Sequence, residues 1–171
     1  MNGQAMNRIL VLGCSGSGKS VFSRKLRDRT GLPLIHLDNV WWRADRTHIT
    51  REEFDRTLSA LLEGERWILD GDYSRTYAVR FHACDTAIFL DYPEEVCMEG
   101  IVARVGQHRE DMPWVAETLD AELAESVRTY RAENRPTVLE LMERYPEKRS
   151  LIFTSREETE QWLAELTAPE M

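Results

Sequence analysis

Five short apolar runs punctuate the chain. They are Ile9-Leu10-Val11-Leu12, Leu34-Ile35-His36-Leu37, Trp67-Ile68-Leu69, Thr86-Ala87-Ile88-Phe89-Leu90 and Leu151-Ile152-Phe153. None alternates apolar with polar positions, which is the pattern of strands covered on both faces. The stretches between them repeat with a helical period. Val21, Phe22 and Leu26 share one side, as do Phe54, Leu58, Leu61 and Leu62, then Leu119, Leu123 and Val127, then Trp162, Leu163 and Leu166. Local signals bound these helices. Thr30-Gly31-Leu32-Pro33 stops the first, and Thr50-Arg51-Glu52-Glu53 is a capping box. Gly64 ends the helix that follows it. Pro93 and two acids open a helix running to about Val105, and Ser155 caps the last one. Residues 115–145 read as helical, kinked or split by Pro136. Strands alternating with helices predict one α/β domain, a five-stranded parallel sheet with helices on both faces.

In such a sheet, ligands bind beyond the carboxyl ends of the strands. The loop after the first strand reads Gly13-Cys14-Ser15-Gly16-Ser17-Gly18-Lys19-Ser20, matching G-x-x-x-x-G-K-S/T. The pattern has a mechanism. Small residues let backbone N–H groups wrap a polyphosphate, Lys19 reaches the β- and γ-phosphates, and the Ser20 hydroxyl ligates Mg²⁺. Gly13, Ser15, Gly16, Ser17, Gly18, Lys19, Ser20 and Val21 therefore form the candidate nucleotide site, with the N-terminus of the following helix aimed at the same anion. The strand before the loop and the helix after it are the context that the P-loop requires.

The other strand ends should converge on this loop. Asp70 ends the strand beside the P-loop strand, the place of a Walker B acid and second metal ligand. Asp38 ends the second strand and faces the acceptor. With a hydroxyl acceptor it is the general base; with a phosphate acceptor it orients substrate or a metal-bound water. Arg75, in the loop after the third strand, suits a phosphate clamp on the acceptor side. Gly106 to Trp114 is polar, interrupted by Pro113, and reads as a small mobile lid within a single domain spanning 1–171. Arg104, Arg109, Arg128, Arg131 and Arg135 flank or follow it, and Arg104 and Arg131 are the leading candidates to meet the transferring phosphate. Asp91 reads as a helix-start residue. Trp41 and Trp42, if extended, point opposite ways, one free to stack on substrate while the other packs. His36 reads as a packed strand residue, and Cys14 as a small filler.

With these loops in place the chain resembles an adenylate-kinase-type P-loop kinase. Trp67 to Thr76 is similar to that family's L-D-G-F-P-R-T segment, and Phe89-Leu90-Asp91-Tyr92-Pro93 to its F-D-V-P. The resemblance implies an acid at Asp70, a grip on the acceptor phosphate from Arg75, and an ATP-phosphate contact from Arg104. A closer resemblance is to an adenylate-kinase-related bacterial group labelled DNA topology modulation proteins, linked by name to flagellar regulation. It rests on the P-loop, His36-Leu37-Asp38-Asn39-Val40-Trp41-Trp42, Trp67 to Thr76, and Arg135-Pro136-Thr137-Val138-Leu139-Glu140-Leu141. Asp72 stands where that group carries Asn, and Gly100 where an Arg is usual. The resemblance implies a P-loop NTPase three-layer sandwich, adenylate-kinase-like, using ATP and Mg²⁺.

Composition changes this picture little. The 171 residues are 42% hydrophobic and 30% charged. A net charge of −8 argues against direct nucleic-acid or anionic-membrane binding. No apolar run approaches a membrane span. Met1 to Asn7 is polar without a signal-peptide core, and Met6 reads as a natural start. Three cysteines without a C-x-x-C pair indicate neither a disulfide framework nor a cysteine zinc site, and the whole suits a cytoplasmic enzyme. The leading expectation is a kinase moving the γ-phosphate of ATP to a small, nucleotide- or nucleoside-like acceptor. The alternatives are a nucleotide-gated regulator linked to DNA topology and an ATPase without a small-molecule acceptor.

Overall fold

The computed structural model describes residues 5–166; residues 1–4 of the polar leading segment lie outside it. Five strands form one parallel sheet in the order β2-β3-β1-β4-β5. They are β1 Arg8–Gly13, β2 Leu34–His36, β3 Trp67–Asp70, β4 Thr86–Leu90 and β5 Arg149–Phe153. β1 lies at the centre, pairing Leu10 with Leu69 on one side and with Ala87 on the other. Ile9, Leu10, Val11 and Leu12 are wholly buried, which is why that run carries no alternation. β2 and β5 are the edge strands, and four of the five residues of β5 retain exposure.

The helices are α1 Lys19–Thr30, α2 Leu37–Trp41, α3 Arg51–Leu62, α4 Tyr77–Ala83, α5 Glu94–Ala103, α6 Ala121–Glu133, α7 Arg135–Arg144 and α8 Arg156–Glu165. Right-handed crossovers put α1 on one face and α4 and α7 on the other. α1 packs on α8, where Phe22 stacks on Trp162 with ring centroids 6.1 Å apart. α4 packs on α7 and on β1. The capping box at Thr50 is formed in both directions, and Ser155 Oγ accepts from the Glu158 N–H.

Three elements depart from the sequence expectation. Leu37 leaves the second strand and opens the short helix α2, so Asp38 sits in a first helical turn, not a strand-end loop. Residues 115–120 are not helical; α6 starts only at Ala121, capped by Asp120. The long helical stretch then breaks at Asn134, with Pro136 in the first turn of α7. Finally, α5 begins at Glu94 after Pro93, so Asp91 precedes the helix and is not its cap.

Candidate functional site

The P-loop bends sharply between β1 and α1. Gly16 and Gly18 take φ of 84° and 91°, a region that favours glycine, and the Ser17 N–H donates to the Cys14 carbonyl at 3.1 Å. The loop also presses on α5. A Cβ at Gly16 would lie 1.9 Å from the Cys97 carbonyl oxygen, and one at Gly100 would lie 2.0 Å from the Gly16 carbonyl oxygen. This backbone-to-backbone seam leaves no room for a side chain at Gly100.

A cavity of about 650 Å³ opens over the loop. Residues Ser15 through Val21 line it, together with Asp38, Asp70 and Arg104. Gly13, the last residue of β1, does not line it. The Lys19 ammonium donates to the carbonyls of Gly13 at 2.7 Å and Cys14 at 3.0 Å, curled over the loop. Ser20 Oγ accepts from Arg24 Nη1 at 2.9 Å. The same cavity is bounded by Gly100 and Ala103 of α5 and by Arg156 and Thr159 of α8.

Three buried or half-buried carboxylates meet above the loop. Asp70 is 4% exposed and is held by His36 Nδ1 at 2.8 Å. Burial resists protonation of His36, but the Asp70 carboxylate outweighs it and the net shift is upward. His36 is thus more than a packed strand residue, since it orients Asp70. Asp38 accepts from the Tyr73 hydroxyl at 2.7 Å. Burial pushes the Asp38 carboxyl above its usual range, the Tyr73 bond opposes this, and the charges of Asp111 and Asp70 add to it. Asp111 is 6% exposed, sits 3.6 Å from Arg109 Nη1, and leaves Oδ1 without a partner.

The arginines divide sharply. Arg104 lies at the C-terminal end of α5 and lines the cavity, with no ion pair or hydrogen bond from its side chain among the described residues; burial, then the nearby Arg109 charge, lowers its pKa. Arg131 is elsewhere. Its Nη1 reaches Asp91 Oδ1 at 3.3 Å, and Arg135 grips the same carboxylate through Nε and Nη2 at 2.8 and 2.9 Å. Asp91 therefore ties the α6–α7 junction to the end of β4, which removes Arg131 from the polyphosphate. Arg75 is also elsewhere: it forks onto Asp55 of α3 at 2.7 and 3.0 Å on the surface and lines neither cavity. Arg128 pairs with Glu125 on exposed helix.

Arg80 dominates the loop after β3, and nothing in its sequence context singles it out. It is fully buried and donates to the carbonyls of Gly71, Asp72 and Tyr73 and to Thr76 Oγ1. Burial brings its pKa down to about 10. This clamp holds Tyr73 at a φ of 38°, strained for a non-glycine residue, with its hydroxyl on Asp38. Asp72 accepts from the Tyr77 hydroxyl and from Asn134 Nδ2 at 3.1 Å, so its charge is held inside the fold.

The segment expected to lack anchorage is docked. Glu110 pairs with Arg27 at 2.8 Å and Arg24 at 3.7 Å, its carbonyl accepts from Asn39, and Trp114 meets Trp42 edge-on at 5.7 Å. Asp111, Met112 and Trp114 supply anchoring that the polar composition hid. Trp41 packs inward against Phe54 and Tyr73, whereas Trp42 lines a second cavity of about 200 Å³ that shares Ser15, Asp38, Arg104 and Arg109 with the first.

No protein-family model matches the chain, and no curated protein matches its sequence. Solved structures do match. The chain is similar to a shikimate kinase from Acinetobacter baumannii in complex with shikimate, with a TM-score of 0.62, 16% identity, and 94% and 90% of the two chains covered. It is similar to a shikimate kinase from Bacteroides thetaiotaomicron, with a TM-score of 0.54, 19% identity, and coverage of 95% and 97%. A sugar kinase from a Janibacter species matches at a TM-score of 0.55 and 20% identity, with coverage of 94% and 91%. The fold is that of the P-loop kinases. No described helix of this P-loop kinase fold is long and apolar enough to cross a membrane.

Proposed function

We propose that the protein is an ATP-dependent phosphotransferase that moves the γ-phosphate of Mg-ATP to a small-molecule acceptor. One observation carries the reading: Lys19, Ser20, Asp70, Asp38 and Arg104 all line one cavity at the carboxyl ends of the strands. Phosphoryl transfer needs positioning and charge neutralisation, and these side chains are suited to it. Lys19 leaves the Gly13 and Cys14 carbonyls for the β- and γ-phosphates. Arg104 offers an unpaired cation beside the site of transfer. The donor set fits Mg²⁺, which takes one or two protein oxygens and keeps its waters. Ser20 and Asp70 are such a pair, and no cluster of three metal-ligating residues occurs among the described residues. Bound there, Mg²⁺ would neutralise charge on the phosphates. Asp38, with its raised pKa and its Tyr73 hydrogen bond, is positioned to take a proton from an acceptor hydroxyl.

The docked segment 106–114 is the lid in this reading. Its Arg109 lies over the cavity and its closure excludes water. The resemblance to the topology modulation group is compatible with this chemistry, and the net charge of −8 weighs against direct DNA contact. ADP release measured with a panel of acceptors tests the proposal. Release that depends on an added acceptor is expected; release without one would make the protein an ATPase, and salt-sensitive DNA binding without turnover would make it a regulator. Lys19→Ala should weaken Mg-ATP binding at least about 100-fold in calorimetric titration, given the loss of a charge-assisted contact to a doubly engaged phosphate. Unchanged affinity would remove the P-loop reading.

A further inference from the structure

The second cavity has the composition of a subsite for an apolar ring. Trp42, Val105, Met112, Trp114, Leu119 and Leu123 form its wall. Charge is confined to its mouth, where Asp38, Arg104 and Arg109 are shared with the P-loop cavity. Asp120 also borders it, but that carboxylate is engaged in capping α6 through the Glu122 and Leu123 N–H groups. The neutral polar side chains are Ser15 at the mouth, in the P-loop, and Gln107 and Thr118 within, too few to hold the hydroxyls of a sugar.

A cation to fix an anionic acceptor is missing as well. Arg75 is taken by Asp55, Arg131 and Arg135 by Asp91, and Arg109 faces Asp111. Of the two arginines that line the second cavity, only Arg104 lacks an ion pair among the described residues, and it borders the phosphate path; Arg24 and Arg156 line the P-loop cavity alone. The volume of about 200 Å³ exceeds the roughly 150 Å³ of an apolar cavity that accepts benzene. It is small for a nucleotide, so the nucleotide-like acceptor favoured by the sequence is not the best match.

The geometry points to an acceptor that is an uncharged alcohol carried on an apolar, aromatic or alicyclic ring, seated between Trp42 and Leu123 with its hydroxyl at Asp38. This rests on the phosphotransferase reading and names its substrate class. The hydroxyl oxygen attacks the γ-phosphorus and forms the new O–P bond. The bond from that phosphorus to the β–γ bridging oxygen breaks, its electron pair leaves with ADP, and the hydroxyl proton passes to the Asp38 carboxylate. The product is a monophosphate ester too polar to stay in the apolar cavity, which favours its release.

The test is coupled measurement of ADP release from Mg-ATP with benzyl alcohol, 2-phenylethanol and cyclohexylmethanol, set against shikimate, glucose and AMP. The ring alcohols should give the higher kcat/KM. Leu119, partly exposed on the cavity wall, permits a variant that does not disturb the core. Leu119→Glu should lower kcat/KM for 2-phenylethanol at least about tenfold, and Leu119→Met should retain it. Ligand-observed NMR should show 2-phenylethanol binding that Leu119→Glu abolishes, with circular dichroism confirming that the variant is folded. Stimulation by AMP, glucose or shikimate and not by the ring alcohols would overturn this inference and leave phosphotransfer standing. No stimulation by any acceptor, with an ATP analogue still tightly bound, would overturn both.

Discussion

Gly100→Ala sets two physical effects against each other. Gly100 lies inside α5, where replacing Gly by Ala is expected to stabilise a helix by about 1 kcal/mol. The tertiary contact has the opposite sign. The added Cβ would stand 2.0 Å from the Gly16 carbonyl oxygen, 2.7 Å from its carbon and 2.8 Å from its Cα, against a limit near 3.0 Å that real Cβ atoms respect. All three atoms are backbone, so no rotamer change relieves the overlap. α5 and the P-loop must separate by about 1 Å, at an overpacking cost of about 1–3 kcal/mol or more. The net expectation is a loss of about 0–2 kcal/mol, which lowers Tm by up to roughly 8 °C in a chain of this size. The displaced element is the phosphate cradle. A shift of that size moves the loop N–H groups out of hydrogen-bonding range, and affinity for a non-hydrolysable ATP analogue should fall at least about tenfold. Differential scanning calorimetry and calorimetric titration read the two effects separately. A variant that melts higher and binds the analogue normally would show that propensity wins, and the seam between α5 and the loop would not exist as described.

Further outcomes follow from the same geometry. Asp38→Asn should abolish acceptor-dependent turnover. A carboxyl whose folded pKa lies above its unfolded value stabilises the fold only while protonated, and this contribution is lost as pH rises through the folded value. The Asn variant should therefore melt higher than wild type above that pH, with the difference vanishing in acid; a difference independent of pH in thermal melts would mean that Asp38 is not raised. Arg75→Ala should leave Tm and the acceptor KM nearly unchanged, because an exposed ion pair contributes little. A KM rise of about tenfold in steady-state kinetics would return Arg75 to the acceptor site. Amides of Gln107–Asp111 should be only weakly protected without nucleotide, since the segment is held largely by surface ion pairs from Glu110, and should slow further with a bound ATP analogue. Glu110→Ala should quicken exchange in the nucleotide-free protein; strong protection without ligand would make the segment a static connection.

Local signals carried the fold and the phosphate loop. Short apolar runs alternating with helical stretches read as strands of a parallel sheet, though Leu37 left its run for α2 and β5 proved largely exposed, and Gly13 to Ser20 needs only its own backbone to define its use. Capping at Thr50 and Ser155 and the break at Pro136 are also local and equally legible. The charged residues were different, because an arginine or aspartate acquires its role from whatever lies opposite it. Asp55 is 20 residues from Arg75 and Asp91 is 40 from Arg131, and those distant partners took both arginines out of the site. His36 meets Asp70 34 residues away, and Tyr73 meets Asp38 35 residues away. Arg80 carried no signal in the sequence, and only the fold encloses it under three carbonyls. Gly100 looked like a departure from a pattern until α5 was found against the P-loop backbone. The sequence by itself determined the five strands, most of the long helices and the phosphate-binding loop, but not the short helices α2 and α4 or the non-helical stretch before α6. Only the tertiary structure decided which side chains face that loop, because long-range charge pairing and backbone approach are properties of the packed chain and not of any window along it.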